Sequence, residues 1–280
     1  MIKRCDILMV THRSADYLDL SLPRLLDSCG ESDRVWIWHN GDDEATLDRL
    51  HTYRSDPRVE RFYHSRENVR LRLPTVWLWT ESKAQFVSKV DDDCIVADNW
   101  LSVLSSAHEA NHGFGVIGSW RPYDEDFIPE LAHHKIQTFD GGHQLLLNLW
   151  VQGSGYLLQR SAIARIGVLR KKESFTHYCI RLARHGAING FYYPFIREDH
   201  MDDPRSAHSL IRTDAQLQSR LPLSAQANGI RTVEDWIKWQ RRDAVILQTA
   251  SLDLKDYSLL RRKMRLAKKK IRMLTGRPGQ

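Results

Sequence analysis

The stretch Phe86-Val87-Ser88-Lys89-Val90-Asp91-Asp92-Asp93 runs from a largely apolar segment into three consecutive carboxylates. A short apolar run rich in β-branched and aromatic residues reads as a buried strand. Carboxylates crowded where a strand meets the carboxyl edge of a sheet repel one another. A divalent cation relieves that cost, because hard cations take oxygen ligands. Such a cation can in turn hold a diphosphate. The motif therefore points to chemistry on a phosphorylated substrate, with a nucleotide-sugar as the leading candidate. An acidic loop that merely caps the next helix would use the same residues, so the neighbouring segments have to decide.

Upstream, strand and helix alternate. Asp6 to Thr11 reads as a strand. Ser14 is placed to cap a helix with Leu18, Leu22, Leu25 and Leu26 on one face, and Pro23 predicts a kink or an early end there. Val35-Trp36-Ile37-Trp38 is a second strand, closed by the turn His39-Asn40-Gly41-Asp42. Glu44 to Tyr53 is a short helix, Val59 to Tyr63 a third strand, and Pro74 suits the first turn of a helix through Trp79. Short connections between alternating elements imply a mostly parallel sheet covered on both faces. Ligands of such sheets bind outside the carboxyl ends of the strands. Three of those ends are polar here: Thr11-His12-Arg13, His39-Asn40-Gly41-Asp42 and Asp91-Asp92-Asp93.

Downstream the pattern is less regular. Val116 to Trp120 reads as a strand and Arg121 to Gly142 as a polar, loop-like insertion. Gln152-Gly153-Ser154-Gly155 is a small-residue turn leading into a strand, its glycines allowing close backbone approach. Ser161 is placed to cap a short helix ending at Gly167. Tyr178 to His185 reads as a helix ended by Gly186, and Gly190 to Tyr193 as a strand before Pro194. Beyond Asp214 the pattern is helical.

The chain of 280 residues suits one large domain, or one domain plus an extension. Trp36, Trp38, Trp77 and Trp79, four of nine tryptophans, read as core. Cys5, Cys29, Cys94 and Cys179 form no CxxC pair, which excludes a zinc framework and a disulfide scaffold and suits a reducing compartment. No apolar run is long enough to span a bilayer, and the short run Ile7 to Val10 reads as a first strand and not a signal peptide.

The net charge of +6 belongs to the end of the chain. Arg261, Arg262, Lys263, Arg265, Lys268, Lys269, Lys270, Arg272 and Arg277 stand among no acids, and without them the remainder carries −3. Leu260, Met264, Ala267, Ile271 and Leu274 recur at steps of 4, 3, 4 and 3, an apolar stripe on an otherwise cationic helix. That pattern suits an anionic membrane surface, with about 1 kcal/mol per basic residue near the headgroups. Docking on the body and nucleic-acid binding compete with it. The absence of aromatics between the charges argues against a stacking platform, so no nucleic acid is expected.

Taken in order, these segments resemble the family 2 glycosyltransferases of the GT-A fold over roughly residues 4 to 200: the three polar strand ends, the Gln152-Gly153-Ser154-Gly155 turn, helix–Gly186–strand–Pro194, and His200 after five intervening residues. The resemblance implies a GT-A-like, mostly parallel twisted sheet with helices on both faces, followed by a C-terminal helical extension. It implies a catalytic domain over 1–215 with a nucleotide-binding half (1–95) and an acceptor half (96–215). The extension then spans 216–258 and the basic tail 259–280. Thr11, His12, Arg13, Asn40 and Asp42 would hold base and ribose, and Arg70, with Arg66 as second choice, the base or diphosphate. Asp91 and Asp92 would contact ribose, sugar or metal water, and Asp91, Asp93 and His200 the metal, with His208 as alternative. One histidine among oxygens suits Mn2+ slightly better than Mg2+.

One departure stands out. Inverting members of that family carry a Glu-Asp pair before the helix at Tyr178, whose aspartate is the general base. Here Ser174 and Phe175 occupy those positions, and phenylalanine cannot take a proton. Glu173 and His177 are the nearest candidates, followed by Asp202 and Asp203. The expectation is a metal-dependent transferase moving a sugar from a nucleoside diphosphate, UDP first, to a hydroxyl of a glycan or lipid-linked acceptor in bacterial envelope synthesis. It would work in the cytoplasm, peripheral to the inner face of the plasma membrane. A metal-dependent nucleotidyltransferase or phosphohydrolase, and a non-catalytic nucleotide- or membrane-binding protein, remain open at this point.

Overall fold

The structure, a computed structural model, describes residues 4–258. Its first part is β1 (Cys5–Thr11), α1 (Ala15–Asp27), β2 (Asp33–Asn40), α2 (Glu44–Tyr53), β3 (Val59–Ser65), α3 (Arg72–Glu81) and β4 (Phe86–Asp91). The strands pair in parallel in the order β3-β2-β1-β4. Both faces are buried, which explains the unbroken apolar runs. Ile7 and Met9 of β1 enter one core cluster, Leu8 and Val10 the other. The register sets Thr11 beside His39, His39 beside His64, and Val10 beside Asp91, so the polar strand ends share one edge.

Pro23 does not end α1, which continues to Asp27. An internal proline costs about 3 kcal/mol. Leu22, Leu25 and Leu26 are all essentially inaccessible, and burial of each contributes about 1.5–3 kcal/mol, which outweighs that cost. Ser14 is the N-cap residue, but its side chain makes no capping bond. Its amide instead donates to Thr46 Oγ1 at 3.1 Å.

The second part continues with β5 (Cys94–Val96), α4 (Trp100–Ala110), β6 (Phe114–Gly118), α5 (Pro129–Ala132), β7 (Ile136–Thr138), β8 (Gln144–Leu147), β9 (Tyr156–Gln159), α6 (Arg160–Ile166), α7 (Phe175–Arg184), β10 (Ile188–Tyr193) and β11 (Glu198–His200). The complete sheet runs β3-β2-β1-β4-β9-β6-β10-β8-β7. Only β8 and β9 run against the other strands, so it is mostly parallel. The insertion after Arg121 is more ordered than its polarity predicts: β7 pairs with β8, and β8 with β10. Gln159, not Ser161, is the N-cap residue of α6.

A separate two-stranded ribbon joins β5 to β11 with His200 opposite Cys94. The Met201 amide donates to the Asp93 carbonyl at 2.8 Å. This pairing carries His200 across the fold to the aspartate motif.

The extension comprises α8 (Asp214–Arg220), α9 (Leu223–Ala227) and α10 (Val233–Thr249). Leu217, Ala225 and Trp236 form a small core with Ile211, which lies before the expected boundary at 215. At its far end α10 joins the body: Leu247 packs in the sheet core. The buried Lys135 ammonium donates to the carbonyls of Leu247, Gln248 and Ala250, at 3.1 Å each. It thereby satisfies carbonyls that a helix end leaves unpaired. Among the described residues no helix is long and apolar enough to cross a membrane. The basic amphipathic tail lies outside the described residues.

Candidate active site

The strand end of β4 separates the three aspartates. Asp91 pairs with the buried Lys89 ammonium, and its amide donates to Ser154 Oγ at 2.9 Å. Ser154 in turn donates to the buried Glu198 carboxylate. Gly155 must be glycine here: its φ is +60°, and a Cβ would sit 2.9 Å from that carboxylate. Asp92 turns back into the fold, where its Oδ2 accepts from the His12 amide at 3.1 Å and its carbonyl from Ser21 Oγ at 2.8 Å.

Burial, with Asp93 and Asp91 alongside, raises the Asp92 carboxyl to about 8. A carboxyl raised above its unfolded value of about 3.9 contributes stability below that pH, and the contribution is lost as pH rises through about 8. Asp92→Asn keeps an acceptor for the His12 amide. It is expected to raise the melting temperature of the metal-free protein at pH 8, with the gain vanishing near pH 4; melts at both pH values check this.

Asp93 faces the ribbon. Its Oδ2 lies 3.3 Å from His200 Nε2. Burial pushes the Asp93 carboxyl up, but the neighbouring His200 prevails and holds it below the usual carboxylate range. Asp93, His200 and Asp202 each offer a ligand atom, all within 4.8 Å of one another. Two carboxylates and an imidazole fit a divalent cation such as Mn2+. Gln240 Nε2 lies 3.5 Å from His200 Nδ1, a long contact on the far side of the imidazole from Asp93. Asp91, Asp93 and Cys94 form a second such group. There a buried thiol stands in place of the imidazole, and the oxygen-and-imidazole set suits a cation such as Mn2+ better than a set with a soft sulfur. His208 stands apart, bonded through Nδ1 to Asp199 Oδ2 at 3.0 Å.

At the edge formed by β1 and β2, Thr11 Oγ1 bonds His39 Nδ1 at 2.8 Å. Burial lowers the His39 imidazole to about 4, so it is neutral at physiological pH. His12, Arg13, Asp42, Arg66 and Arg70 are exposed. Asn40 is spent on structure: Oδ1 accepts from the Val69 amide and Trp38 Nε1, at 3.2 Å each, and Nδ2 lies 3.4 Å from the Arg70 carbonyl. It fixes the loop that presents Arg70. Arg13 and Arg70 have φ of 52° and 61°. A left-handed backbone at a non-glycine residue is strained, and such strain clusters at functional sites.

The residues considered as a base are unequal. Glu173 receives two hydrogen bonds from Arg181, at 2.9 and 2.7 Å, and one from the Arg170 amide at 2.9 Å. Burial acts to raise its carboxyl, but Arg181 and these bonds hold it below the ordinary value, which makes it a poor proton acceptor. Phe175 stacks on Tyr156 at 4.2 Å. His177 Nδ1 bonds Ser174 Oγ at 2.7 Å, the side chain that caps α7. Asp203 is bound by Arg205, and Asp202 belongs to the candidate cation set.

Three residues of α10, absent from the sequence expectations, border this centre. Trp236 Nε1 donates to the Asp202 carbonyl at 2.8 Å, Gln240 reaches His200, and Asp243 Oδ2 lies 3.4 Å from Gln152 Nε2. They stand at steps of 4 and 3, one face of the helix. Their signal in the sequence is the pair of polar residues within a stripe that also carries Trp236 and Leu247.

The model of the family described as glycosyl transferase family 2 matches residues 6–187. The chain belongs to glycosyl transferase family 2. Solved structures place the transferase in the GT-A fold. A structure described as mannosyltransferase PcManGT from Pyrobaculum calidifontis, in complex with GDP-Man and Mn2+, is 12% identical. It aligns with 98% of this chain and 81% of its own at a TM-score of 0.59. The S. aureus TarS 1-349 complex with UDP-GlcNAc is 11% identical, covers 70% of this chain and 58% of its own, and gives 0.54. GalNAc-T7 with UDP, GalNAc and Mn2+ is 11% identical, covers 71% and 44%, and also gives 0.54. At these identities the likeness is one of fold. No curated protein matches the transferase. The family match ends before His200, Asp202 and α10, so those residues rest on the geometry alone.

Proposed function

We propose that the transferase moves a sugar from a nucleoside-diphosphate donor, UDP-linked in the first instance, to a hydroxyl of a glycan or glycolipid acceptor, and that a divalent cation assists. The observation that carries this reading is the convergence of Asp93, His200 and Asp202 at the carboxyl edge of the sheet. When bound there, the cation supplies Lewis-acid stabilisation of the departing diphosphate, with Mn2+ the better match to the donor set. The chain's own groups do the rest. Thr11, His12, Arg13 and Asp42 border the nucleoside, Arg70 presents a cation to the diphosphate, and Asp91 lies beside ribose and sugar, while Asp92 braces the His12 loop from within. The GDP-Man, UDP-GlcNAc and Mn2+ in the complexes of the similar structures support this reading. The charge and stripe of the tail support an acceptor on an anionic membrane surface, as in envelope polysaccharide synthesis.

The test is a thermal-shift panel of UDP, GDP, CDP and dTDP, each with and without Mn2+. A ligand that binds only the native state raises the melting temperature, by the equivalent of about 2.7 kcal/mol at 100 times its Kd. One nucleotide is expected to shift the melt only when Mn2+ is present. No shift with any of the four would leave the aspartates as a structural cap and overturn the proposal.

A further inference from the structure

We infer that Asp243, on α10, is the carboxylate that takes the proton from the attacking hydroxyl, so that the C-terminal extension supplies a catalytic residue of the transferase. The inference rests on the donor-site reading above. A cavity of about 10 Å3 lies between α10 and the cation set, lined in part by Arg121, Gln152, His200, Gln240 and Asp243. That volume holds one water-sized group, the size of a single hydroxyl. His200 belongs to the candidate cation set, so a hydroxyl here lies between that set and the Asp243 carboxylate.

The other carboxylates around the site are committed. Glu173 is clamped by Arg181 and Asp203 by Arg205, while Asp202 faces Asp93 and His200. Asp243 differs from them. Its hydrogen bond to Gln152 is long, 3.4 Å. The same amide end of Gln152 lies 3.2 and 3.3 Å from the Arg121 guanidinium, and its oxygen accepts from Arg121 in the opposite orientation. A carboxylate set against a water-sized space, with a cation close by and no ion pair of its own among the described residues, has a lone pair to offer. In the step, the hydroxyl proton passes to an Asp243 oxygen as the hydroxyl oxygen bonds to the anomeric carbon. The bond from that carbon to the diphosphate oxygen breaks, and the nucleoside diphosphate leaves with the electron pair.

Asparagine separates this role from a structural one, because it offers Gln152 an acceptor or a donor in either orientation of that amide and cannot take a proton. The full chain is incubated with Mn2+ and UDP-glucose, UDP-GlcNAc or GDP-mannose without acceptor, so that water is the attacking hydroxyl, and released nucleoside diphosphate is measured. Asp243→Asn is expected to release it at least about 100-fold more slowly, with the melting temperature and the Mn2+-dependent nucleotide shift of the native chain. Asp243→Glu, which restores a carboxylate, is expected to recover part of the rate. Release by Asp243→Asn at the native rate overturns the inference, as does a rate lost together with nucleotide binding. Absence of any Mn2+-dependent nucleotide shift in the native chain would overturn the donor-site reading instead, and this inference with it.

Discussion

Asp93→Ala is expected to abolish Mn2+-dependent nucleotide binding while leaving the fold in place. The backbone survives the change, because the bond that joins this segment to the ribbon is made by the Asp93 carbonyl and the Met201 amide. What goes is the carboxylate shared between the His200 and Asp91 groups. Removing only an outer partner of a metal ligand costs about 10–100-fold in affinity, so removing a ligand should exceed about 100-fold. A nucleotide stabilising the native protein by about 2.7 kcal/mol would then contribute about 0.4 kcal/mol at the same concentration. Titration of UDP or GDP with Mn2+ against both proteins checks this. Retention of a full shift would remove Asp93 from the site.

Arg205→Ala should produce the largest loss of stability. The guanidinium binds Asp203 at 2.8 and 3.1 Å and Asp126 at 2.9 Å, reaches Glu125 at 3.2 Å, and lies 4.5 Å from the Tyr123 ring centre. Asp203 and Asp126 are almost inaccessible, at 4% and 6% exposure. Truncating Arg205 leaves two buried carboxylates without their main cation, a change that typically costs about 3–5 kcal/mol. For a chain of this size that is about 10 °C in melting temperature. Asp203 follows directly on Asp202, so metal affinity should fall as well. A thermal melt decides: a loss below about 2 °C would mean that other cations, Arg241 beside Asp126 and Glu125 among them, already neutralise the pair.

β1, β2 and β4 were legible because each is buried on both faces. Ile7 to Val10 and Val35 to Trp38 could only be core, and the turns after them could only be an edge. β5 and β11 escaped notice for the opposite reason. Each has three residues, and what defines them is a pairing across a hundred positions, which leaves no local periodicity. β7 was hidden in the same way within the polar insertion, and β8, four residues long, lies just after it. The spacing after Pro194 did point to His200, which the ribbon delivers to Asp93. Asp202 was legible only as a further candidate base; its place beside His200 depends on the ribbon and on the Trp236 bond to its carbonyl. Asn40 stood in the right turn, yet its amide is consumed by Trp38, Val69 and Arg70, which composition and spacing do not record. α10 was legible as a helix; which neighbours its polar stripe meets was not.

The clamp of Lys135 on α10, together with the reach of Trp236 and Gln240 to Asp202 and His200, also fixes a schedule. A ribosome adding about 5–20 residues per second completes β11 some 2–10 s before α10 ends at Thr249. Through that interval the nascent polypeptide has the strands that end at Thr11, Asn40 and Asp91 but lacks the helix whose Trp236 and Gln240 meet Asp202 and His200. Vectorial synthesis thus completes the strands of the sheet before the helix that meets Asp202 and His200 exists.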